Sequence, residues 1–148
     1  MRESFRFFKL FRSLFVHLKA QTKTLPTMFT FTSIALQDRD LINTFLSKQN
    51  YRASDLCFTN LYCWGSKFET QFAVGDGWLF IRFRDNNGRN SYLKPIGEGD
   101  IREGVQAIME DNRQFGTPFQ MRGLTREMTE EVEAAMPGLF DYTLNRSV

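Results

Sequence analysis

The sequence has very few of the residues that bind metals or carry out imidazole chemistry. Among its 148 residues are one histidine, His17, and two cysteines, Cys57 and Cys63. Two thiols six positions apart, without a second pair or further imidazoles, do not make a zinc site. We therefore expect no metal. We interpret the cysteines as reduced thiols, buried or half-buried, in a cytoplasmic protein.

Long apolar runs are also missing. No stretch approaches the roughly 20 apolar residues needed to cross a bilayer, so we expect no membrane-spanning segment. The balance of 42% hydrophobic and 24% charged residues is typical of one globular domain with an ordinary core. We expect the 16 phenylalanines to fill that core.

Positive charge is concentrated in residues 1–27. This tail carries six Lys or Arg against one Glu, whereas the rest of the chain carries 13 against 16 acidic residues. Its apolar residues share one side of a helical wheel, which predicts a basic amphipathic helix. Three interpretations stay open. The tail lies outside a native domain of residues 28–148 that starts at Met28, it rests on an anionic membrane surface, or it contacts nucleic acid.

From Met28 onward the patterns predict an α+β fold with a mixed, mainly antiparallel sheet flanked by helices. Strands are predicted at 29–34, 68–74, 78–84, 91–93, 119–124 and 139–144, and helices after Asp38, from Ile101 to about Gly116, and after Thr125. The first helix is expected to bury Leu41, Ile42, Phe45 and Leu46. Asn87-Gly88 predicts a tight hairpin turn.

Two side-chain groups have competing interpretations. Tyr62 and Trp64, in the aromatic segment 56–65, either line a ligand pocket or belong to the core. Arg82, Arg84 and Arg89 either form a solvated strand face or contact phosphate or RNA.

The stretch from Tyr92 to Gly104 reads as a strand, a glycine turn and the start of a helix. Gly97 and Gly99 permit tight or left-handed backbone, and Asp100 is a suitable N-cap, as is Thr125 for the later helix. The helix after Asp100 is expected to bury one face, formed by Ile101, Val105, Ile108 and Met109. Such a turn either binds an anion through backbone amides and the helix dipole, or is an ordinary connection. Glu98 and Asp100 place negative charge where phosphates would lie.

The order of these elements resembles the GNAT acyltransferase fold. In that superfamily a Gln/Arg-x-x-Gly-x-Gly/Ala loop holds the pyrophosphate of coenzyme A, and this chain has Lys94-x-x-Gly97-x-Gly99 at that place. More specifically, three stretches resemble a family of uncharacterised bacterial proteins that share the C-terminal domain type of phosphatidylglycerol lysyltransferase. These stretches are residues 58–64, 92–100 and 137–140, and the resemblance covers about residues 29–148.

The resemblance implies the first half of a tandem of two GNAT-like halves, truncated before the second. It implies an acyl or aminoacyl transferase-related domain whose donor, acyl-CoA or aminoacyl-tRNA, is held by Lys94, Gly97, Gly99 and Asp100. The partner would be a second half or a second copy, and nucleic acid only if tRNA is the donor. The alternative function is a non-catalytic, degenerate GNAT half that serves as a structural or interaction module.

No catalytic residue is assigned. The histidine lies in the tail, outside the predicted domain. The remaining candidates for a general base are suggested by residue type alone, and they are Tyr62, Tyr92, Glu69 and Glu98.

Overall fold

A mixed sheet of eight strands forms the centre of the described part of the protein. The computed structural model describes residues 2–7, 29–49 and 56–145, and only the backbone of residues 2–7. The strands are β1 (Arg2–Phe7), β2 (Thr32–Ser33), β3 (Gln71–Gly75), β4 (Trp78–Arg84), β5 (Asn90–Tyr92), β6 (Ile96–Gly97), β7 (Gln120–Leu124) and β8 (Phe140–Asn145). The helices are α1 (Arg39–Leu46), α2 (Phe58–Cys63), α3 (Gly65–Phe68), α4 (Ile101–Asn112) and α5 (Arg126–Ala135), with 3₁₀ turns at Leu36–Asp38 and Arg113–Phe115. The predicted α+β class is confirmed.

The strands follow the order β2-β3-β4-β5-β7-β1-β8 across the sheet, and β6 also pairs with β4. The pairs are antiparallel except for β5 and β7, which run parallel and meet at Tyr92 and Met121. The mixed, mainly antiparallel sheet therefore agrees with the prediction.

Strand β4 supplies apolar side chains to both faces of the sheet. Because successive side chains of a strand point to opposite faces, Trp78 and Phe80 belong to one core and Leu79 and Ile81 to another. The first core also contains the buried side chains of α4 and α5, and the second contains those of α1 and α2. Helices thus cover the sheet on both sides.

Helices α4 and α5 have the predicted caps. Asp100 accepts a hydrogen bond from the backbone N–H of Arg102, and Thr125 Oγ1 accepts one from the backbone N–H of Met128. The buried face predicted for α4 is confirmed, and it consists of Ile101, Val105, Ile108 and Met109.

Three local predictions need correction. In α1, Ile42 is fully buried, but Leu41 is 46% exposed and Phe45 and Leu46 are only partly buried. The strand predicted from residue 68 begins at residue 71, because α3 ends in a left-handed residue, Glu69, with φ of 47°. The two cysteines, one directly before α2 and one at its last position, are exposed rather than buried or half-buried.

Residues 2–7 form a strand and not the predicted amphipathic helix. β1 lies between β7 and β8 and pairs antiparallel with both, so this part of the tail belongs to the sheet. In this short stretch Phe5 and Phe7 also alternate with Arg6, so the sequence fits a period of two as well as a helical period. The rest of the predicted helix, residues 8–27, lies outside the described residues.

The Asp85 carboxylate fixes the hairpin between β4 and β5 to β7. Its Oδ1 accepts hydrogen bonds from the backbone N–H groups of Asn87 and Arg89, each at 2.9 Å. Its Oδ2 accepts hydrogen bonds from Gln120 Nε2 at 3.0 Å and Arg122 Nη1 at 3.2 Å. Burial by itself raises the pKa of this carboxyl group, but the four donors together outweigh burial and lower the pKa below its ordinary value of 3.8.

Asp85→Asn should therefore lower the free energy of unfolding by about 1–3 kcal/mol at pH 7, because charge-assisted hydrogen bonds are lost. A lowered folded-state pKa stabilises the protein above the unfolded-state pKa of about 3.9, and this stabilisation disappears as the pH falls through the folded-state value. Urea unfolding at pH 7 and at pH 2–3 should show the wild-type advantage shrinking in acid. The control variant is Asp141→Asn, at an exposed position of β8. A difference between Asp85→Asn and wild type that is constant with pH would contradict the assignment.

Candidate functional site

The parallel strands β5 and β7 separate just after they meet. Beyond the Tyr92–Met121 pair, the Leu93 N–H donates a hydrogen bond to the Ile81 carbonyl oxygen at 3.1 Å, and β6 continues along β4. Strand β7 instead pairs on its other side with β1. We call the region between residues 93–97 and 122–124 the strand opening. No strand pairing joins its two sides, and the Leu93 side chain lies within it, 3.5 Å from where a Cβ of Gly123 would be. Carboxyl ends of parallel strands are where open α/β sheets usually bind ligands.

A bulge in β7 accounts for this separation. In the pairing with β1, Glu3 lies opposite Leu124 and Phe5 opposite Met121, so β7 has one extra residue. Gly123 lies in the bulge with φ of 71°, a conformation that L residues rarely adopt. Bulges bend a strand and increase its local twist, and this one lies where β7 leaves β5.

An ion pair joins one side of the strand opening to α5, the helix that follows its other side. Lys94, between β5 and β6, has a side chain that is 6% exposed, and its Nζ lies 3.1 Å from Glu131 Oε2 of α5. The Glu131 side chain is 40% exposed. A nearly buried ammonium group is thus held by a carboxylate that reaches solvent.

The glycines of the turn make room for the Trp78 indole. A Cβ added to Gly97 would overlap the Gly77 carbonyl oxygen and lie 2.7 Å from Trp78 Cε3. At Gly104 an added Cβ would lie 2.9 Å from Pro95 Cβ and 3.2 Å from the indole. Gly99 has φ of 142° and lies near the same ring. Tryptophan packing and backbone geometry therefore explain these glycines without a ligand.

Acidic side chains occupy the N-terminal end of α4. The Asp100 carboxylate accepts the backbone N–H of Arg102 and a side-chain hydrogen bond from its Nε at 2.9 Å. These hydrogen bonds, the side-chain one first, hold the pKa of Asp100 below its ordinary value. Glu98 is exposed and lies 3.7 Å from Lys48 Nζ. The positive end of the helix dipole is thus already matched by a carboxylate.

The four residues predicted to bind a donor consequently have different environments. Lys94 faces Glu131 at the strand opening, Gly97 is paired within the sheet, and Gly99 and Asp100 form the exposed turn. Sequence reasoning missed Glu131 and the bulge at Gly123. A glycine inside a predicted strand is a recognised bulge signal, but no local signal pairs a lysine with a glutamate on a later helix.

A second polar cluster surrounds Asp111 of α4. Its carboxylate accepts hydrogen bonds from Arg82 Nη1 at 2.9 Å and from the Tyr92 hydroxyl at 2.6 Å. The Arg82 guanidinium also lies over the ring of Phe31, 4.1 Å from its centroid, and 5.0 Å from that of Phe115. Burial, followed by the hydrogen bond to Asp111, raises the pKa of Tyr92. This tyrosine is fully buried and is therefore structural rather than a general base.

The predicted basic patch is largely neutralised. Arg82 pairs with Asp111, and Arg84 pairs with Glu69, whose Oε2 lies 2.7 Å from Arg84 Nε. A shallow polar depression between these groups is lined by Glu69, Gln71, Arg82, Phe83, Arg84, Asn90 and Phe115. The lining contains two arginines and one glutamate, and Asp111 pairs with Arg82 from outside it, so the charges nearly cancel and do not strongly favour an anion over a cation.

Tyr62 and Trp64 of the aromatic segment are exposed and do not belong to the core. Tyr62 is 39% exposed and stacks on Phe58, and Trp64 is 52% exposed with Lys67 Nζ 5.2 Å from its ring centroid.

Within the described ranges no three His, Cys, Asp or Glu side chains are grouped so that they could hold a metal ion. None of the helices in those ranges has the length and hydropathy needed to span a bilayer.

The chain is similar to one protein of known structure. No family model and no curated protein matches it. A conserved protein of unknown function from Bacteroides thetaiotaomicron, known from its crystal structure, matches with a TM-score of 0.75 and 35% sequence identity. The match covers 80% of this chain and 40% of that chain, so this chain spans about two-fifths of the length of that protein.

Substitution of Gly97 tests the tryptophan packing. Gly97→Ala should lower the free energy of unfolding by about 1–3 kcal/mol, because the methyl group overlaps backbone and indole. Gly65→Ala is the matched control, since an added Cβ there meets nothing within 4 Å, and it should be neutral or slightly stabilising. Thermal unfolding of both variants measures the difference. Equal melting temperatures for the two would contradict the packing.

Substitution of either partner tests the ion pair across the strand opening. Glu131→Gln leaves the nearly buried ammonium of Lys94 without its charged partner and should cost about 1–2 kcal/mol in urea unfolding. Lys94→Met keeps the length of the side chain and removes the charge, so it should cost less. Glu130→Gln, at an exposed position of the same helix, serves as the control. A larger loss for Lys94→Met than for Glu131→Gln would show that the charge pair is not the stabilising feature.

Proposed function

We propose that this chain is a GNAT-like half domain related to acyl or aminoacyl transferases, of the type that resembles the C-terminal domain of phosphatidylglycerol lysyltransferase. The observation that carries the proposal is the strand opening. Two parallel strands separate beyond the Tyr92–Met121 pair, and the helices that follow them, α4 and α5, both begin at the same edge. A GNAT-like donor site requires this arrangement.

In this proposal the linear arm of a donor lies in the strand opening. The facing edges of separated strands offer backbone donors and acceptors to an extended group, as they do to an added strand. Lys94 borders the strand opening on one side and Glu131 lies on α5, which follows the other side, so their ion pair would limit how far the arm can enter. Lys94 would also be the positive group nearest to the reacting carbonyl and would stabilise negative charge on its oxygen.

The charges at the turn favour an aminoacyl donor over one that places a pyrophosphate there. The Asp100 carboxylate already occupies the N-terminus of α4, where a phosphate group would otherwise bind, and Glu98 precedes it, although Lys48 and Arg102 offset part of this negative charge. The amino group of an aminoacyl ester is cationic at neutral pH, and these carboxylates would attract it. Removal of the proton from the acceptor is assigned to no residue, because the tyrosine closest to the strand opening is buried and has a raised pKa.

A non-catalytic half domain is the second candidate. Two observations favour it: the glycines of the turn are explained by contact with Trp78, and the Asp100 carboxylate already caps α4. In this case the domain acts as a module that packs against a second half or a second copy. We also propose a cytoplasmic location. Attachment of the tail to a membrane as a helix is less favoured, because Arg2–Phe7 is a strand of the sheet.

Thermal unfolding of the full chain with separate donor probes tests the two candidates. The probes are coenzyme A, acetyl-CoA and a non-hydrolysable aminoacyl-adenosine amide. A ligand that binds only the folded state stabilises it by about 2.7 kcal/mol at 100 times its dissociation constant. The transferase proposal expects a saturable rise with the aminoacyl probe that is lost in Lys94→Met and kept in Glu130→Gln. No rise with any probe, in protein that unfolds cooperatively, would favour the non-catalytic module.

A further inference from the structure

The strand β1 fills a gap that the surrounding elements cannot close. β7 and β8 are both antiparallel to β1 and are therefore parallel to each other, and α5 connects them. This connection leaves exactly one strand position open between them. A strand in that position must come from another part of the sequence and must run antiparallel to both neighbours.

The last strand depends on β1 for its place in the sheet. β8 pairs with β1 over six consecutive positions, from Arg2–Asn145 to Phe7–Phe140, and it has no other strand partner among the described residues. Phe140 is also buried in the core, with its ring centroid 6.0 Å from that of Phe119. Without a strand in the gap, β7 and β8 would lie about 10 Å apart, two strand spacings, and no backbone hydrogen bonds would join them.

The occupant of the gap is remote in sequence. Residues 8–28 separate β1 from Phe29, and the Phe29 ring packs against Phe80 of β4, 4.7 Å between centroids. In the sheet order, β2, which follows Phe29, lies five strand positions from β1. Backbone pairing, rather than a tight turn, therefore determines that residues 2–7 lie in the gap.

We propose that the position between β7 and β8 is an acceptor site for an extended strand, and that residues 2–7 of a second copy of this chain can occupy it by strand exchange. The exchanged strand would make the same backbone pairs as the chain's own strand, so only the connection through residues 8–28 distinguishes the two arrangements. A covalent connection raises the effective concentration of the chain's own strand at this position, which favours that strand over a second copy in dilute solution. Shortening the connection should favour exchange.

Peptide complementation tests the acceptor site in the full chain. Phe5→Pro removes a backbone donor in the middle of β1 and should lower the melting temperature. A synthetic peptide of residues 1–9 should restore it in a saturable manner, whereas the same peptide with Phe5→Pro should have no effect. If the wild-type peptide has no effect on the variant, the acceptor site is refuted. If Phe5→Pro unfolds at the wild-type temperature, the strand does not contribute and the proposal is equally refuted.

Deletion of residues 8–27 tests exchange between copies. The remaining connection from Phe7 to Thr32 spans at most about 18 Å at 3.3–3.6 Å per residue, whereas the five strand spacings from β1 to β2 are about 24 Å. Light scattering should therefore show a dimer, and adding Phe5→Pro to the deletion should return it to a monomer. A deletion variant that stays monomeric over the concentration range tested overturns strand exchange. These outcomes do not depend on donor binding, so the proposed function is tested separately.

Discussion

The Trp78 indole packs against Gly97, Gly99 and Gly104, and this contact fixes the position of the elements on one side of the strand opening. The indole is almost fully buried, and the three glycines allow β6, the turn and the first part of α4 to approach it. A side chain at the first or third position would separate these elements from β4. The start of α4, and with it one border of the opening, therefore depends on a tryptophan more than 20 residues away in sequence from that helix.

Elements with a strong local signal were predictable from the sequence. The structure confirms strand β4, which has a clear period of two and a turn signal at each end. It also confirms the caps Asp100 and Thr125 and the buried face of α4, where the capping residue and the helical period agree. The helix predicted for residues 2–7 was wrong because so short a stretch fits both a helical period and a period of two. The structure forms a strand there because the position between β7 and β8 requires one. The Lys94–Glu131 pair and the contacts of Trp78 join distant residues, and no local pattern encodes them.

A buried carboxylate, Asp85, and a partly buried one, Asp111, join the sheet to its surroundings in different ways. Asp85 connects a hairpin to β7 through four donors, and Asp111 connects α4 to β4 and β5 through Arg82 and Tyr92. Both are fully occupied by protein groups, which makes them structural. The Lys94–Glu131 pair differs because its carboxylate remains partly exposed at the strand opening. A ligand could therefore contact the Glu131 carboxylate at the strand opening more easily than the carboxylates near the polar depression.

The position of β1 also has a consequence for the order of folding. Its two neighbours, β7 and β8, lie more than 110 residues later in the sequence, so their pairing requires one of the largest loop closures the chain can make. Such non-local pairing is slow compared with the formation of the β3–β4 hairpin and the local helices. During synthesis residues 2–7 leave the ribosome long before β7 and β8, and they have no strand partner among the described residues until β7 has emerged. The chain therefore carries an unpaired, Phe-containing segment through most of its synthesis, and the sheet is completed as one of the last events.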